Sequence, residues 1–194
     1  MEGACKIPDD VYCLKFKCST SLEELNQETE LVWLQYPGLD SLLSRDEVAA
    51  SWLGQFTFKE DKPELGQAGL RLPQIGALHA ISAHLSTDKE LEPTTVVLPT
   101  GTGKTETMLS AMVYRRAPCI LVVVPSRSLR EQIANKFVSL GCLPDLGIVL
   151  QGCSFPYVAK ITTGIQSIEE AERIATAANV IVTTPNVLQK EEHR

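Results

Sequence analysis

The segment Thr100-Gly101-Thr102-Gly103-Lys104-Thr105 brings together residue types that hold phosphate. Glycines let a backbone curl tightly and turn its N–H groups inward. A helix opening at Lys104 would add the partial positive charge of its N-terminus. Lys104 would then reach the outer phosphates of a nucleoside triphosphate, and the Thr105 hydroxyl would ligate Mg2+. The full spacing, Gly-x-x-x-x-Gly-Lys-Ser/Thr, fails at one position, because Leu98 stands where the first glycine belongs. An accidental glycine-rich turn would account for the glycines. It would not account for Lys104 and Thr105, neither of which suits a buried loop without a ligand.

Such a loop works only between a strand and a helix, and the flanking sequence supplies both patterns. Thr95-Val96-Val97-Leu98 is a short apolar run that predicts the lead-in strand, and residues 104–115 read as a helix. The alternation continues. Cys119-Ile120-Leu121-Val122-Val123-Val124 predicts a buried strand, 128–140 a helix closed by Gly141, and 147–150 a weaker strand. Ser167-Ile168-Glu169-Glu170 is a capping box opening a helix to about residue 178, before the strand Val180-Ile181-Val182-Thr183. Continuous apolar strands separated by helices predict an α/β fold with a mostly parallel sheet covered on both faces. Upstream, Pro73 begins an amphipathic helical stretch to about residue 85, and a polar loop follows at 86–92. Residues 1–69 differ. Capping boxes at Ser21-Leu22-Glu23-Glu24, ahead of Leu25, Leu31, Val32 and Leu34, and at Ser44-Arg45-Asp46-Glu47 predict a small helical extension. The stretch 55–69, with Pro63, Gly66 and Gly69, reads as a loose linker.

Three further segments narrow the chemistry. Pro125-Ser126-Arg127-Ser128-Leu129-Arg130-Glu131-Gln132 resembles motif Ia of the superfamily 2 helicases, and Thr183-Thr184-Pro185-Asn186 resembles motif Ib. Leu70-Arg71-Leu72-Pro73-Gln74 resembles the element that precedes the phosphate loop and contacts adenine. The form Leu-Pro-Thr-Gly-Thr-Gly-Lys-Thr is similar to the restriction-enzyme and UvrB-like branch. The four elements run in the family's order over residues 70–186. The resemblance implies a RecA-like P-loop NTPase domain over 70–194, the first ATP-binding domain of a helicase or DNA translocase. By the same carry-over ATP would lie against Thr100, Gly101, Thr102, Gly103, Lys104, Thr105 and Glu106, with Mg2+ on Thr105 and adenine beside Arg71 and Gln74. Ser126, Arg127, Thr184 and Pro185 would meet a nucleic-acid backbone, DNA rather than RNA on the restriction-like wording. Taken singly, each has a plain alternative: Gln74 as a polar first-turn residue, Arg127 and Arg130 as solvated charges, Thr184-Pro185 as a strand end.

The family's hydrolysis also needs an apolar strand ending in Asp-Glu. Asp46-Glu47 precedes the loop and follows no apolar strand; Glu191-Glu192-His193 follows Gln189-Lys190. Motifs II to VI are therefore not found, and neither is the second RecA-like domain. The expectation is a chain that ends before its hydrolytic machinery, binds nucleotide without turning it over, and needs a second domain or subunit. Two other classes stay open: a non-hydrolysing module that pairs with a separate motor, and a small-molecule kinase, which the missing acidic strand end disfavours. Composition fits a globular protein, with 44% hydrophobic and 22% charged residues. The net charge of −6 excludes a broadly basic nucleic-acid binder, so any such contact should be local. No segment spans a membrane, and the start lacks a signal-peptide pattern, so a cytoplasmic protein is expected. The six cysteines form no Cys-x-x-Cys pair. Cys5, Cys13 and Cys18 could cluster but are read as reduced thiols, and Cys119 as a small core residue.

Overall fold

The computed structural model describes residues 43–87, 92–150 and 152–188, with the backbone of 13–16 and 31–35. The capping box at residues 21–24, Cys5, Cys18 and the Glu191-Glu192-His193 run lie outside the described residues. The chain divides into two compact units, Met1–Leu42 and Leu43–Arg194. In the first, β1 (Cys13–Phe16) pairs antiparallel with β2 (Leu31–Gln35), Leu14 opposite Trp33 and Phe16 opposite Leu31. Leu31, Val32 and Leu34 were expected on a helix and lie on this strand instead. The run Leu-Val-Trp-Leu is rich in the branched and aromatic residues that suit a pleated ribbon.

The second unit opens with α1 (Arg45–Ser51), and its capping box forms as the sequence predicts. The Ser44 hydroxyl accepts from the Glu47 amide at 3.3 Å, and the Ser44 amide donates to the Glu47 carboxylate at 2.7 Å. The helix buries Val48 and Ala49, and Trp52 follows it into the core, its indole N–H donating to the Ser154 carbonyl at 2.9 Å. Residues 55–69 are not the loose linker expected. Phe56 forms an antiparallel bridge with Val149, Glu60 a parallel bridge with Leu70, and the Lys59 ammonium donates to the Leu146 carbonyl at 2.8 Å. Gly69 passes so close to Lys59 that a β-carbon would stand 2.4 Å from its carbonyl oxygen. Turn residues here mark tight folding-back, with apolar Phe56 and Leu70 as anchors.

The α/β region follows. Helix α2 (Leu72–Thr87) buries Gln74, Ala77 and Leu78, spaced for one helical face. Helix α3 (Lys104–Arg115) buries Leu109, Met112 and Val113. Then come β3 (Ile120–Val123), α4 (Arg127–Val138), β4 (Val158–Lys160), α5 (Ile168–Ala177), β5 (Val180–Thr183) and the short α6 (Pro185–Leu188). The sheet has the order β3-β5-β4 and is wholly parallel, Ile120 beside Val180 and Val158 beside Val180. β5 lies in the middle, and all four of its residues are buried. Ser167 caps α5, accepting from the Glu170 amide at 3.1 Å. No helix among the described residues is long and apolar enough to cross a membrane.

Three strand expectations change. Residues 95–98 pair with no strand among the described residues, and Val97 is 84% exposed. Residues 147–150 contribute only the single bridge to Phe56. β4 carries the polar Lys160 and is three residues long, too short for a periodicity signal. β3 departs from the expectation of cover on both faces, since Leu121 and Val123 are exposed and its outer edge has no strand beside it among the described residues. Cys119 is half-buried, packed against the smaller apolar cluster around Ile161, Ala178 and Ile181.

Because Trp52 lies wholly within the main core, Trp52→Ala should destabilise the protein by about 3–5 kcal/mol in urea unfolding. An unchanged midpoint would show that α1 and residues 55–69 do not belong to the cooperative unit.

Candidate nucleotide site and the strand-end surface

The loop 100–103 is built by two glycines in the left-handed region, Gly101 at φ +80° and Gly103 at φ +84°. Left-handed backbone costs an ordinary L-residue about 1–2 kcal/mol. Gly103 is also the N-cap of α3, and with no side chain it leaves the first-turn N–H groups without a side-chain cap. Within the loop, the Thr102 hydroxyl and the Lys104 ammonium both donate to the Pro99 carbonyl, at 2.7 and 2.9 Å. Lys104 is exposed and Thr105 half-buried on the first turn.

Helix α2 is fastened to this loop by one buried side chain. The Gln74 amide oxygen accepts from the Arg71 main-chain N–H at 2.8 Å, and its NH2 donates to the Gly103 carbonyl at 3.1 Å. The Arg71 guanidinium donates to the Gly101 carbonyl at 2.8 Å. A β-carbon on Gly103 would stand 2.3 Å from the Gln74 amide nitrogen, so a side chain there would displace that amide in addition to straining φ. Gln74 is therefore no solvent-facing first-turn residue; it is 5% exposed. Beside it opens a cleft of about 370 Å³, lined by Arg71, Gln74, Gly101, Glu106, Cys142 and Leu143 among others.

Glu106 stands on the wall of that cleft, its carboxylate held by the Lys136 ammonium of α4 at 2.5 Å. Partial burial pushes its carboxyl up, but the Lys136 hydrogen bond, its own main-chain N–H and the charges of Lys136 and Arg71 outweigh this and hold it below the usual value of 4.5. Burial raises the neighbouring Cys142 thiol, with the Glu106 charge adding to the effect.

The second group of predicted residues gathers at the carboxyl end of the sheet. β3 and β5 are adjacent and in register, Val123 beside Thr183, and the Val124 amide donates to the Thr183 carbonyl at 2.9 Å. Ser126-Arg127 and Thr184-Pro185, which follow these strands, therefore leave the sheet side by side. Ser126 caps α4 by accepting from the Leu129 amide at 3.2 Å; Arg127 and Pro185 are exposed, whereas Thr184 is buried. Arg130 is 6% exposed rather than solvated. It donates to the Ile161 carbonyl at 3.2 Å and pairs with Glu131, which also binds Lys160 at 2.6 Å. This bridge from α4 to β4 was not read from the sequence, since Lys160 belongs to the strand without a signal. The same is true of Lys136, thirty residues from its partner.

The donor set fits a polyphosphate: glycine backbone, an uncapped helix start, one ammonium and one hydroxyl. Among the described residues no cluster of His, Cys, Asp or Glu could hold a metal by itself. A family model of the DEAD/DEAH box helicase matches residues 76–194, more than half of the chain. The chain belongs to the DEAD/DEAH box helicase family. No curated protein and no solved structure matches it. As a member of the DEAD/DEAH box helicases it is an ATP-binding module with the α/β fold of a RecA-like domain, and the family binds nucleic acid. The family match begins inside α2, two residues after Gln74, so Arg71 and Gln74 lie outside the matched residues.

Three glycines give graded expectations. Gly101→Ala meets no atom within 4 Å and should cost about 1–2 kcal/mol for its φ alone. Gly103→Ala adds the collision with Gln74 and should cost more. Gly76→Ala, in open space within α2, should stabilise by about 0.5–1 kcal/mol. Urea unfolding of the three variants checks the order; equal losses at 101 and 103 would remove the Gln74 contact from the account.

A depressed Glu106 carboxyl contributes stability that is full above 4.5 and is lost as pH falls through its lower folded value. Glu106→Gln should flatten the acid limb of a stability-versus-pH profile below 4.5 and leave the slope near neutrality alone.

Proposed function

We propose that this DEAD/DEAH box helicase chain binds Mg2+-ATP at residues 100–106, and that nucleic acid, DNA in preference to RNA, lies along the strand ends. In this reading the Gly101, Thr102 and Gly103 backbone and the first turn of α3 cradle the phosphates. Lys104 exchanges its bond to Pro99 for the outer phosphates, Thr105 ligates Mg2+, and Thr100 and the Glu106 main-chain N–H complete the loop. Arg71 and Gln74 flank the base in the adjoining cleft. The observation that supports the reading is the pair of hydrogen bonds made by Gln74, which ties the start of α2, beside the cleft, to the loop at Gly103. Ser126, Arg127, Thr184 and Pro185 are proposed for the nucleic-acid edge because they emerge side by side from adjacent strands. Arg127 and Pro185 offer exposed contact; buried Thr184 and the capping Ser126 serve by shaping the turns.

Residues 70–194 are taken as the nucleotide-binding portion, braced by residues 43–69 packed in the same unit. None of β3, β4 and β5 ends in an acidic pair. Turnover is accordingly assigned to a second RecA-like domain or subunit together with an acidic strand end, and the chain alone is expected to bind without hydrolysing. That same observation favours a second reading, a non-hydrolysing module that regulates a separate motor subunit.

Titration of the 194-residue chain with a fluorescent ATP analogue and Mg2+ should saturate, and Lys104→Ala should weaken binding at least about tenfold, the worth of one charge-assisted hydrogen bond. Phosphate release should stay at background. Equal binding by the variant would sink the phosphate-loop assignment, and turnover by the chain alone would sink the division of labour.

A further inference from the structure

The outer half of α4 contains a lysine that the nucleotide reading leaves without a task. Lys136 Nζ meets Glu106 Oε1 at 2.5 Å, joining the last turn of α4 to the first turn of α3. Glu106 follows Lys104 by two residues, and its other oxygen, Oε2, lies 3.3 Å from the point where a β-carbon on Gly103 would stand. A carboxylate thus sits directly against the phosphate loop and on the wall of the cleft. Left unpaired, it would oppose a bound polyanion, because like charges a few ångströms apart in a half-buried setting repel strongly. Its side chain is 17% exposed, too little for water to screen it fully.

We propose that Lys136 is a positioning residue of the nucleotide site, cancelling the Glu106 charge and holding that carboxylate aside so that the loop accepts a triphosphate. The proposal rests on the nucleotide reading above. Lys136 touches neither the phosphates nor the base in this account; it acts through Glu106. Arg71, which also faces Glu106, is engaged with the Gly101 carbonyl and shares only part of the neutralisation.

Two features distinguish this role from simple α3–α4 fastening. The effect of losing Lys136 must grow with ligand charge, and removing both charges together must undo it. The test measures dissociation constants of fluorescent ATP and AMP analogues, with Mg2+, for the wild-type chain, Lys136→Met, Lys136→Arg, and Lys136→Met combined with Glu106→Gln. Urea unfolding of each variant reports folding separately. Lys136→Met should bind the ATP analogue about tenfold more weakly and the AMP analogue about threefold more weakly, as one uncompensated charge near the phosphates requires. Lys136→Arg should stay near wild type. The double variant should return to within about threefold of wild type, since no unpaired charge remains. Equal losses for both analogues, or a double variant as weak as Lys136→Met, would overturn the proposal and leave the nucleotide reading standing. Failure of the wild-type chain to bind either analogue would overturn that reading and this one with it.

Discussion

A buried primary amide has four hydrogen-bonding positions, and a protein interior penalises each one left unmet. Gln74 gives both its oxygen and its nitrogen a partner by spanning two segments: it accepts from the Arg71 main chain at the start of α2 and donates to Gly103 at the start of α3. Everything around the loop follows from that span. A side chain at Gly103 would push this amide out of the place its β-carbon would take. The left-handed turn at Gly103 aims α3, and α3 aims Lys104 and Thr105. The Arg71 side chain then closes onto Gly101, so the corner is held at both ends of the loop. A rigid corner matters for recognition, since a ligand that finds its donors already in place loses less freedom on binding.

A second layer of polar bonds holds the remaining helices at fixed distances from this corner. Asn179, fully buried ahead of β5, accepts from the Tyr157 amide at 3.1 Å and donates to the Arg45 and Pro118 carbonyls at 2.9 and 3.0 Å. One side chain thereby gathers α1, the approach to β3 and the approach to β4. At the opposite end of the sheet, Arg130, Glu131 and Lys160 tie α4 to β4. Helix α4 therefore has its start beside the exposed Arg127 and its last turn against Glu106 on α3, with its middle fastened to the sheet.

Much of this was legible in the residues. Helix α3 spans the predicted 104–115, and α5 begins directly after the predicted cap at Ser167, because caps and glycine turns are local signals that neighbours do not override. The strand at 180–183 was legible as well, being apolar throughout and buried throughout. The misreadings share a cause, which is reliance on partners distant in sequence. Residues 95–98 have strand-like composition but no strand alongside among the described residues, and pairing, not composition, makes a strand. Residues 55–69 carry turn formers that suggest looseness, yet Leu70 and Phe56 pin them to segments such as 146–149. For the site, the glycines, Lys104 and Thr105 and the helix after them were visible in the sequence, although Leu98 breaks the full spacing. The Lys136–Glu106 pair was not, since nothing in either residue's surroundings announces a partner thirty positions away.

The bonds from Thr102 and Lys104 to the Pro99 carbonyl have a further consequence. A single main-chain oxygen there satisfies a hydroxyl and an ammonium, as a phosphate oxygen would. If the loop binds phosphate as proposed, it carries its own surrogate for that ligand. An incoming phosphate competes with an internal acceptor as well as with water, so affinity reflects a difference between two acceptors of unequal charge. A carbonyl dipole loses that contest to a phosphate bearing full negative charge. Under the proposed nucleotide reading, a neutral or weakly charged ligand would have no such advantage, and the loop would select by charge ahead of the base.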